Sequence, residues 1–489
     1  ELAFEGLPVP VYREEATPLY VENDGCRSIV SLLPAGENTF VGAYRGMEVT
    51  LTYRSAGERL DIGVTIRNMT DRPFTPDVFA LKLCPDTCMA TYPDWNRQFF
   101  PTFLRCEATH FYGYFMTPEG RMLGVGSPAP VPAYKYNFNY HTEGYGHRIF
   151  QTELHLLHGG ALPSRYPRVA SVASGETFGR TVSLFPVKSL DTFEEEVAAR
   201  LSVPVLRAER YTVAEGEVLS VGAVGAARVS VRKPDGTVTE DTSVTADLRG
   251  EYVFRAEDGQ GHTAELRALC RRPWEETLDM ARTAAYTAPQ KASTHIESYY
   301  GFCSAALAAK YRKDPHLDDE MRAHLKEVLP LMFDFRTGEP TVIPERIQNA
   351  AGTLSILADF CEADPEKNAF ALTWGRTLAD FLVSKQAPDG SYRSGGTHYT
   401  CVIYPAKSLL EFSVAERAAG LTADADRHYE SVRRAVDDLV LHLENIGTEG
   451  EHTLEDGMIS CSALQIGAFA LTLPEEKRAP YIRAAEHML

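Results

Sequence analysis

The chain has 489 residues, 44% of them hydrophobic and 24% charged, which is the balance of an ordinary globular protein of two or three domains. Its 67 acidic against 49 basic residues leave a net charge of -18, which repels nucleic acid and anionic membrane and confines any anionic ligand to a local basic pocket. That composition excludes disorder, collagen and coiled coil, and no apolar run approaches the roughly 20 residues of a membrane span.

The sequence opens at Glu1 without the basic and apolar segments of a signal peptide. Nine scattered cysteines are an odd number and form no disulfide framework, which favours reduced thiols in the cytoplasm; a leader already removed would place the protein in the periplasm or outside the cell. Cys84 and Cys88, with His110 downstream, have the start of a zinc pattern but no second pair at ligand spacing. No metal and no cofactor are therefore expected.

From about residue 26 to 190 the chain repeats short alternating segments, such as Glu48-Val49-Thr50-Leu51-Thr52-Tyr53 and Leu60-Asp61-Ile62-Gly63-Val64-Thr65-Ile66, broken by Gly, Pro, Asn and Asp. Alternation buries one face of a sheet, and strands without long helices between them predict a large antiparallel β-sandwich over 1–202. A short helix over 191–201, with Asp191 as its N-cap, closes it. Residues 203–272 predict a small immunoglobulin-like β domain, with Val229-Ser230-Val231, the turn Lys233-Pro234-Asp235-Gly236, and Gly250-Glu251-Tyr252-Val253-Phe254. Nothing in it looks catalytic.

From Trp274 the period changes from two to 3.6, and nine helices are predicted near 275–287, 297–311, 318–335, 346–363, 367–386, 404–419, 423–446, 459–473 and 477–489. Their connections alternate between short and long, the long ones falling near 288–296, 336–345, 387–403 and 447–458. Successive helices are antiparallel when links are short, so the long loops share one rim of the array. Function concentrates on loops carried by a rigid scaffold.

This order of parts resembles the carbohydrate-active enzymes that join an N-terminal β-sandwich to a C-terminal α/α toroid, the six-hairpin enzymes. The resemblance covers most of the chain and rests on architecture. It implies a multidomain β-then-α fold with a toroid over 273–489; because such rings have about twelve helices, the nine found here are expected to be an incomplete toroid, truncated at its C-terminus. It also implies an oligo- or polysaccharide substrate, with no nucleic-acid or membrane partner; the oligomeric state is open. Glycoside hydrolases, disaccharide phosphorylases and polysaccharide lyases all share the architecture. Some lyases acting on a terminal rhamnose–glucuronate linkage are similar in combining these parts, although no motif here is specific to them.

Candidate chemistry clusters on the long-loop rim. His295, Glu297, Tyr299 and Tyr300 open the second helix of the array, with His295 and Tyr299 on one face. Glu345, Arg346 and Asn349 open the fourth, where Arg346 and Asn349 at i, i+3 suit a carboxylate ligand. The densest cluster runs from Asp389 to Thr400 and holds Tyr392, Arg393, His398 and Tyr399 among glycines and serines. A fourth loop, with Glu451, His452, Glu455 and Asp456, is acidic and matches an ordinary solvated loop. In the sandwich, Trp95, Tyr136, Tyr140 and His141 stand out in an aromatic stretch between 92 and 147 suited to stacking on sugar rings, or equally to filling a β core.

Two chemistries compete. A glycosidase needs two carboxyl groups at a set separation, one of them protonated. A lyase needs a base, a proton donor and a group that neutralises a uronate carboxylate. Candidate carboxylates exist at Glu297, Glu345, Asp389 and Glu455 without a signature, whereas His295, His398, Tyr392, Tyr399, Arg346 and Asn349 supply what elimination needs. Sandwich-first order is commoner in hydrolases and phosphorylases and argues the other way. The expectation is a polysaccharide lyase acting on a uronic-acid linkage, with those six residues catalytic and Arg393, Tyr299, Trp95, Tyr136, Tyr140 and His141 binding substrate. The alternatives are an inverting hydrolase or phosphorylase and a non-catalytic carbohydrate-binding protein.

Overall fold

A computed structural model describes residues 18–83, 99–140, 147–287, 300–341, 347–394, 397–398, 400, 404–442 and 456–488. The chain divides into two compact units, Glu1–Arg272 and Pro273–Leu489.

In the first unit the alternating segments pair into two antiparallel sheets. One has five strands in the order Ala133–Tyr140, His147–His158, Val78–Leu83, Leu19–Asn23 and Cys26–Ile29. The other has eight, in the order Leu32–Gly36, Thr39–Tyr44, Met47–Ala56, Arg59–Asn68, Thr177–Val187, Met122–Ser127, Phe111–Met116 and Phe100–Cys106. Leu19, Phe79, Leu81 and Leu154 of the smaller sheet share one apolar core with Val49, Leu51, Ile62, Val64, Leu123 and Val182 of the larger. The sheets therefore pack face to face, with alternate residues turned inward.

Helix α1 (Phe193–Leu201) closes this sandwich by burying Phe193, Val197 and Leu201 against Tyr112, Phe185 and Val205. Its N-terminus differs from the expectation. Asp191 lies in a single 3-10 turn, Leu190–Thr192, and Thr192 precedes the helix, its hydroxyl donating to Glu196 at 2.8 Å. Between 205 and 271 a second core containing Leu206, Leu219, Tyr252, Phe254 and Leu266 lies among strands of a three-stranded and a five-stranded sheet. In the latter, Thr212–Ala214 pairs in parallel with the end of Thr263–Arg271.

The second unit is helical: α2 (Trp274–Thr287), α3 (Tyr300–Tyr311), α4 (Pro315–Met332), α5 (Ile347–Ala363), α6 (Ala369–Lys385), α7 (Pro405–Ala418), α8 (Thr422–Leu441), α9 (Asp456–Thr472) and α10 (Glu475–His487). Helix α4 begins three residues before its expected start, because Asp314 caps it by accepting from the His316 and Leu317 amides and Pro315 supplies a preset φ. It also stops early, at Met332, where Phe333–Asp334 pairs with Glu339–Pro340 in a hairpin that two-residue strands leave invisible to periodicity.

Cross-links tie four of the helices together. Lys310 near the end of α3 pairs with Asp359 and Glu362 near the end of α5. Ser355 of α5 donates to Glu411 of α7 at 2.6 Å, and the Ala406 amide at the start of α7 donates to Gln465 of α9 at 3.2 Å. The first of these joins the C-terminal ends of α3 and α5, the second the middles of α5 and α7, and the third the start of α7 to the middle of α9. Helix α5 is buried around most of its circumference, as a helix with neighbours on several sides must be. Helix α8 is instead amphipathic, with Val432, Val436 and Leu439 inward and Glu430, Arg433 and Asp437 outward.

Candidate functional site

The N-terminal end of α5 is where its helix dipole favours negative charge. Asn349, in the first turn of α5, is only 1% exposed, and among the described residues neither its amide nitrogen nor its carbonyl oxygen has a hydrogen-bond partner. Thr353, one turn on and on the same face, is fully buried with its hydroxyl likewise unpartnered. Buried polar side chains are satisfied in the great majority of cases, so a ladder of three unpaired atoms at a helix N-terminus marks a place prepared for a polar group. The sequence reading selected Asn349 but missed Thr353. A polar residue four positions after Asn349 within an otherwise apolar run was the available signal.

The loop from Asp389 to Thr400 is tied down at its base by α8. Gln386 donates to the Gly390 carbonyl and to the Ser431 carbonyl, each at 2.9 Å, and Ser431 returns a bond to Gln386 at 2.7 Å. Arg434 donates to the Ala387 carbonyl at 2.7 Å. Gly390 has φ +96°, and a Cβ there would lie 2.4 Å from the Arg434 carbonyl oxygen. Further along, the Tyr392 amide donates to Thr400 Oγ1 at 3.0 Å, and Thr400 donates to Asp438 Oδ2 at 2.6 Å. The hairpin Arg393–Ser394 against Thr397–His398 then pairs Arg393 with His398. Gln386, Thr400, Ser431, Arg434 and Asp438 position this loop, and the sequence reading singled out none of them for that task.

Tyr392 requires a correction. It is fully buried in the core of the helical unit, its hydroxyl 3.5 Å from Ser431 Oγ, and burial pushes its pKa up to about 12. A phenol sealed in this way anchors the loop and does not protonate a saccharide. Arg393 is exposed, 3.5 Å from Asp389. Asp389 accepts from the Ser391 hydroxyl at 2.7 Å and amide at 3.0 Å, which together hold its carboxyl down at about 2.

In the sandwich, Tyr136 is half-buried against the apolar core with its ring 5.3 Å from that of Tyr134, and burial raises its pKa to about 12. For Tyr140 and His398 the backbone lies in strands. His295, Glu297, Tyr299, Glu345, Arg346, Tyr399, Glu455, Trp95 and His141 lie outside the described residues. So do Cys84 and Cys88, while His110 is buried, its Nδ1 3.1 Å from the Thr109 hydroxyl and its pKa pulled down to about 3 by burial and by His262. Among the described residues no group of three metal-ligating side chains comes together. No described helix is long and apolar enough to cross a membrane.

No family model matches the sequence, and no curated protein is significantly similar to it. Among solved structures, the chain is similar to one described as a polysaccharide lyase, at TM-score 0.69 and 11% identity, over 96% of this chain and 74% of that one. The fold is therefore of the same two-part kind, β-rich then helical. A putative aldose 1-epimerase from Escherichia coli K12 aligns at TM-score 0.21 and 12% identity over 37% of this chain and 82% of that one. A family GH92 α-mannosidase from Bacteroides thetaiotaomicron aligns at 0.18 and 8% over 94% and 71%. Overlaps as low as these last two have no bearing on the fold.

Proposed function

We propose that this protein is a polysaccharide lyase that cleaves a uronic-acid-containing glycan by β-elimination, at the end of the helical unit where α5 begins. The observation that carries the reading is Asn349, buried with both polar atoms unpaired in the first turn of α5, beside Arg346 in the sequence. A forked cation plus an amide at a helix N-terminus suits a carboxylate that gains charge as the reaction proceeds. Similarity to a polysaccharide lyase supports the reading at the level of fold alone.

In the proposed reaction Arg346 and Asn349 hold the uronate carboxylate. His398 or His295 removes the proton from the carbon beside it, the electron pair forms a carbon–carbon double bond, and the neighbouring carbon–oxygen bond breaks. Tyr399 donates a proton to the leaving oxygen. Arg393 and Tyr299 bind neighbouring sugar hydroxyls; in the β-rich unit, Trp95, Tyr136, Tyr140 and His141 are the proposed saccharide-binding residues. Among the carboxylates a hydrolase would need, Asp389 is held ionised by Ser391 and is a poor candidate for the protonated acid of a glycosidase.

The test is ultraviolet absorbance of the unsaturated product during incubation with uronate-containing polysaccharides, since only elimination creates it. His398→Ala should lower turnover about 10²- to 10⁴-fold, far more than it weakens binding. Arg346→Ala should discriminate most strongly against uronates relative to neutral sugars. If Glu345→Gln or Asp389→Asn abolishes turnover while His398→Ala and Tyr399→Phe remain active, the enzyme is a hydrolase or phosphorylase instead.

A further inference from the structure

Arg180 lies in the strand Thr177–Val187, directly across from Val64 on the neighbouring strand. Strand alternation puts it on the same face as Phe178, Val182 and Leu184, and those three, with Val64, belong to the apolar packing between the two sheets. A guanidinium in that position calls for a carboxylate. Arg282, a fully buried arginine of the helical unit, has two: it bonds Asp318 at 2.6 Å and Asp279 at 2.9 Å. Arg180 has no ion pair among the described residues, and its buried Nε makes no hydrogen bond. What it does have is the ring of Phe178, whose centroid is 4.7 Å from the guanidinium carbon.

That contact lies over one flat face of the guanidinium. Unlike Nε, the two terminal nitrogens are not sealed and unpaired, and together they present two parallel N–H donors, a spacing that a planar two-oxygen anion matches. A charge taken from water and left unpaired is among the most costly features a fold can keep, and it becomes favourable when an anion occupies the fork. Burial alone pulls the Arg180 pKa down to about 10, the expected sign for a cation with no counter-charge. The side chain is only partly buried, and Phe178, on the same face, is partly buried too, so this end of the strand is open to a small molecule.

We infer that Arg180, backed by Phe178, anchors a second anion-binding site within the β-sandwich that takes a carboxylate, as carried by an acidic sugar. The site lies in a different unit from α5 and shares no residue with the proposed reaction. It stands whether or not that reaction is an elimination.

The test is calorimetric titration of the full chain with sodium D-glucuronate, and in parallel with D-glucose, acetate and inorganic phosphate. Binding of glucuronate should survive Arg346→Ala and weaken at least about tenfold in Arg180→Gln, as expected when a charge-assisted bidentate contact is lost, with Arg180→Lys intermediate. Acetate should bind more weakly with the same dependence on Arg180. Glucuronate binding unchanged in Arg180→Gln, or abolished by Arg346→Ala, overturns the proposal, as does glucose or phosphate binding as tightly as glucuronate. A measurement without ligand guards against a misfolded variant. Arg180→Met should melt no lower than the native chain, because it removes an unpaired charge; a marked fall would show that the arginine is structurally paired and would also overturn the site.

Discussion

His428 offers the sharpest test of the packing in the helical unit. It sits on α8, fully buried, with Nδ1 2.7 Å from Glu416 of α7 and Nε2 3.0 Å from Asp380 of α6. Arg427 also reaches Asp380, at 2.6 Å, and its terminal nitrogen lies 3.4 Å from His428 Nε2. Burial by itself pulls the imidazole pKa down, but the hydrogen bonds and charges of Glu416 and Asp380 outweigh it and raise the pKa above its ordinary 6.5. A raised folded-state pKa means that the group's stabilisation is fully present below pH 6.5 and is lost as pH rises through the folded value. Within that window the slope is at most about 1.4 kcal/mol per pH unit. His428→Leu leaves the fully buried Glu416 without its cation, and breaking a buried pair costs about 3–5 kcal/mol. For a domain of this size that lowers the melting temperature by roughly 10 °C. Asp380 is half exposed and retains Arg427, so Glu416 supplies most of the loss. Thermal melts from acid to mildly alkaline pH read both effects: the native chain should lose stability on the alkaline side with a slope that His428→Leu lacks, and a second change, Glu416→Leu, should restore most of the stability. An unchanged melting point in His428→Leu, or a double variant as unstable as the single one, refutes the three-helix ion cluster.

Tyr392→Phe should leave turnover nearly unchanged and cost no more than about 1 kcal/mol in urea denaturation, since its one long hydrogen bond is weak, whereas Tyr399→Phe should lower turnover about 10²-fold or more. In the sandwich, Glu153 is fully buried and accepts from Arg27 at 2.7 and 3.1 Å and from Tyr20 at 2.7 Å. Burial pushes its pKa up, but the Arg27 and Tyr20 bonds win and set it below its ordinary 4.5, so its stabilisation is present above pH 4.5 and fades as pH falls through the folded value; Glu153→Leu should cost about 3 kcal/mol at neutral pH and flatten acid denaturation. Gly390→Ala should destabilise by at least about 1–2 kcal/mol, because its left-handed backbone disfavours a Cβ that would in any case meet the Arg434 carbonyl, and it should reduce turnover more than a surface alanine of equal stability cost.

The change from strand to helix was legible near Trp274 because the two periods differ and because α3, α5 and α9 are apolar enough to be read even where their polar faces are thin. Helix interiors came out well and helix ends less so. Asp314 and Pro315 are a standard start signal, yet the first apolar repeat of α4 comes later and drew the boundary with it. Asp191 had the right residue type for a cap, but the chain spends one 3-10 turn before the helix begins. Tyr392 was misread for a different reason: glycine and serine neighbours make its segment look solvated, and the surface that buries it comes from α8, some forty residues away. Local pattern reports which residues are polar, and only tertiary contact reports which of them face water.

The anchoring of that loop also bears on how the rim could work. Acid–base chemistry tolerates little misplacement, and a loop rich in glycine is a poor carrier for a base unless something outside it sets its position. Here Ser431, Arg434 and Asp438 lie along one face of α8 at spacings of three and four residues, so a single helix grips the loop at the Ala387 and Pro388 backbone, at Gln386 and at Thr400. The buried Tyr392 fills the space between those grips. The hairpin that carries His398 follows directly, paired through Arg393, and is therefore braced by α8, whereas Asn349 is carried by α5. The two halves of the proposed site thus rest on different helices, and substitutions along the inner face of α8 should impair turnover without touching any residue that meets the substrate.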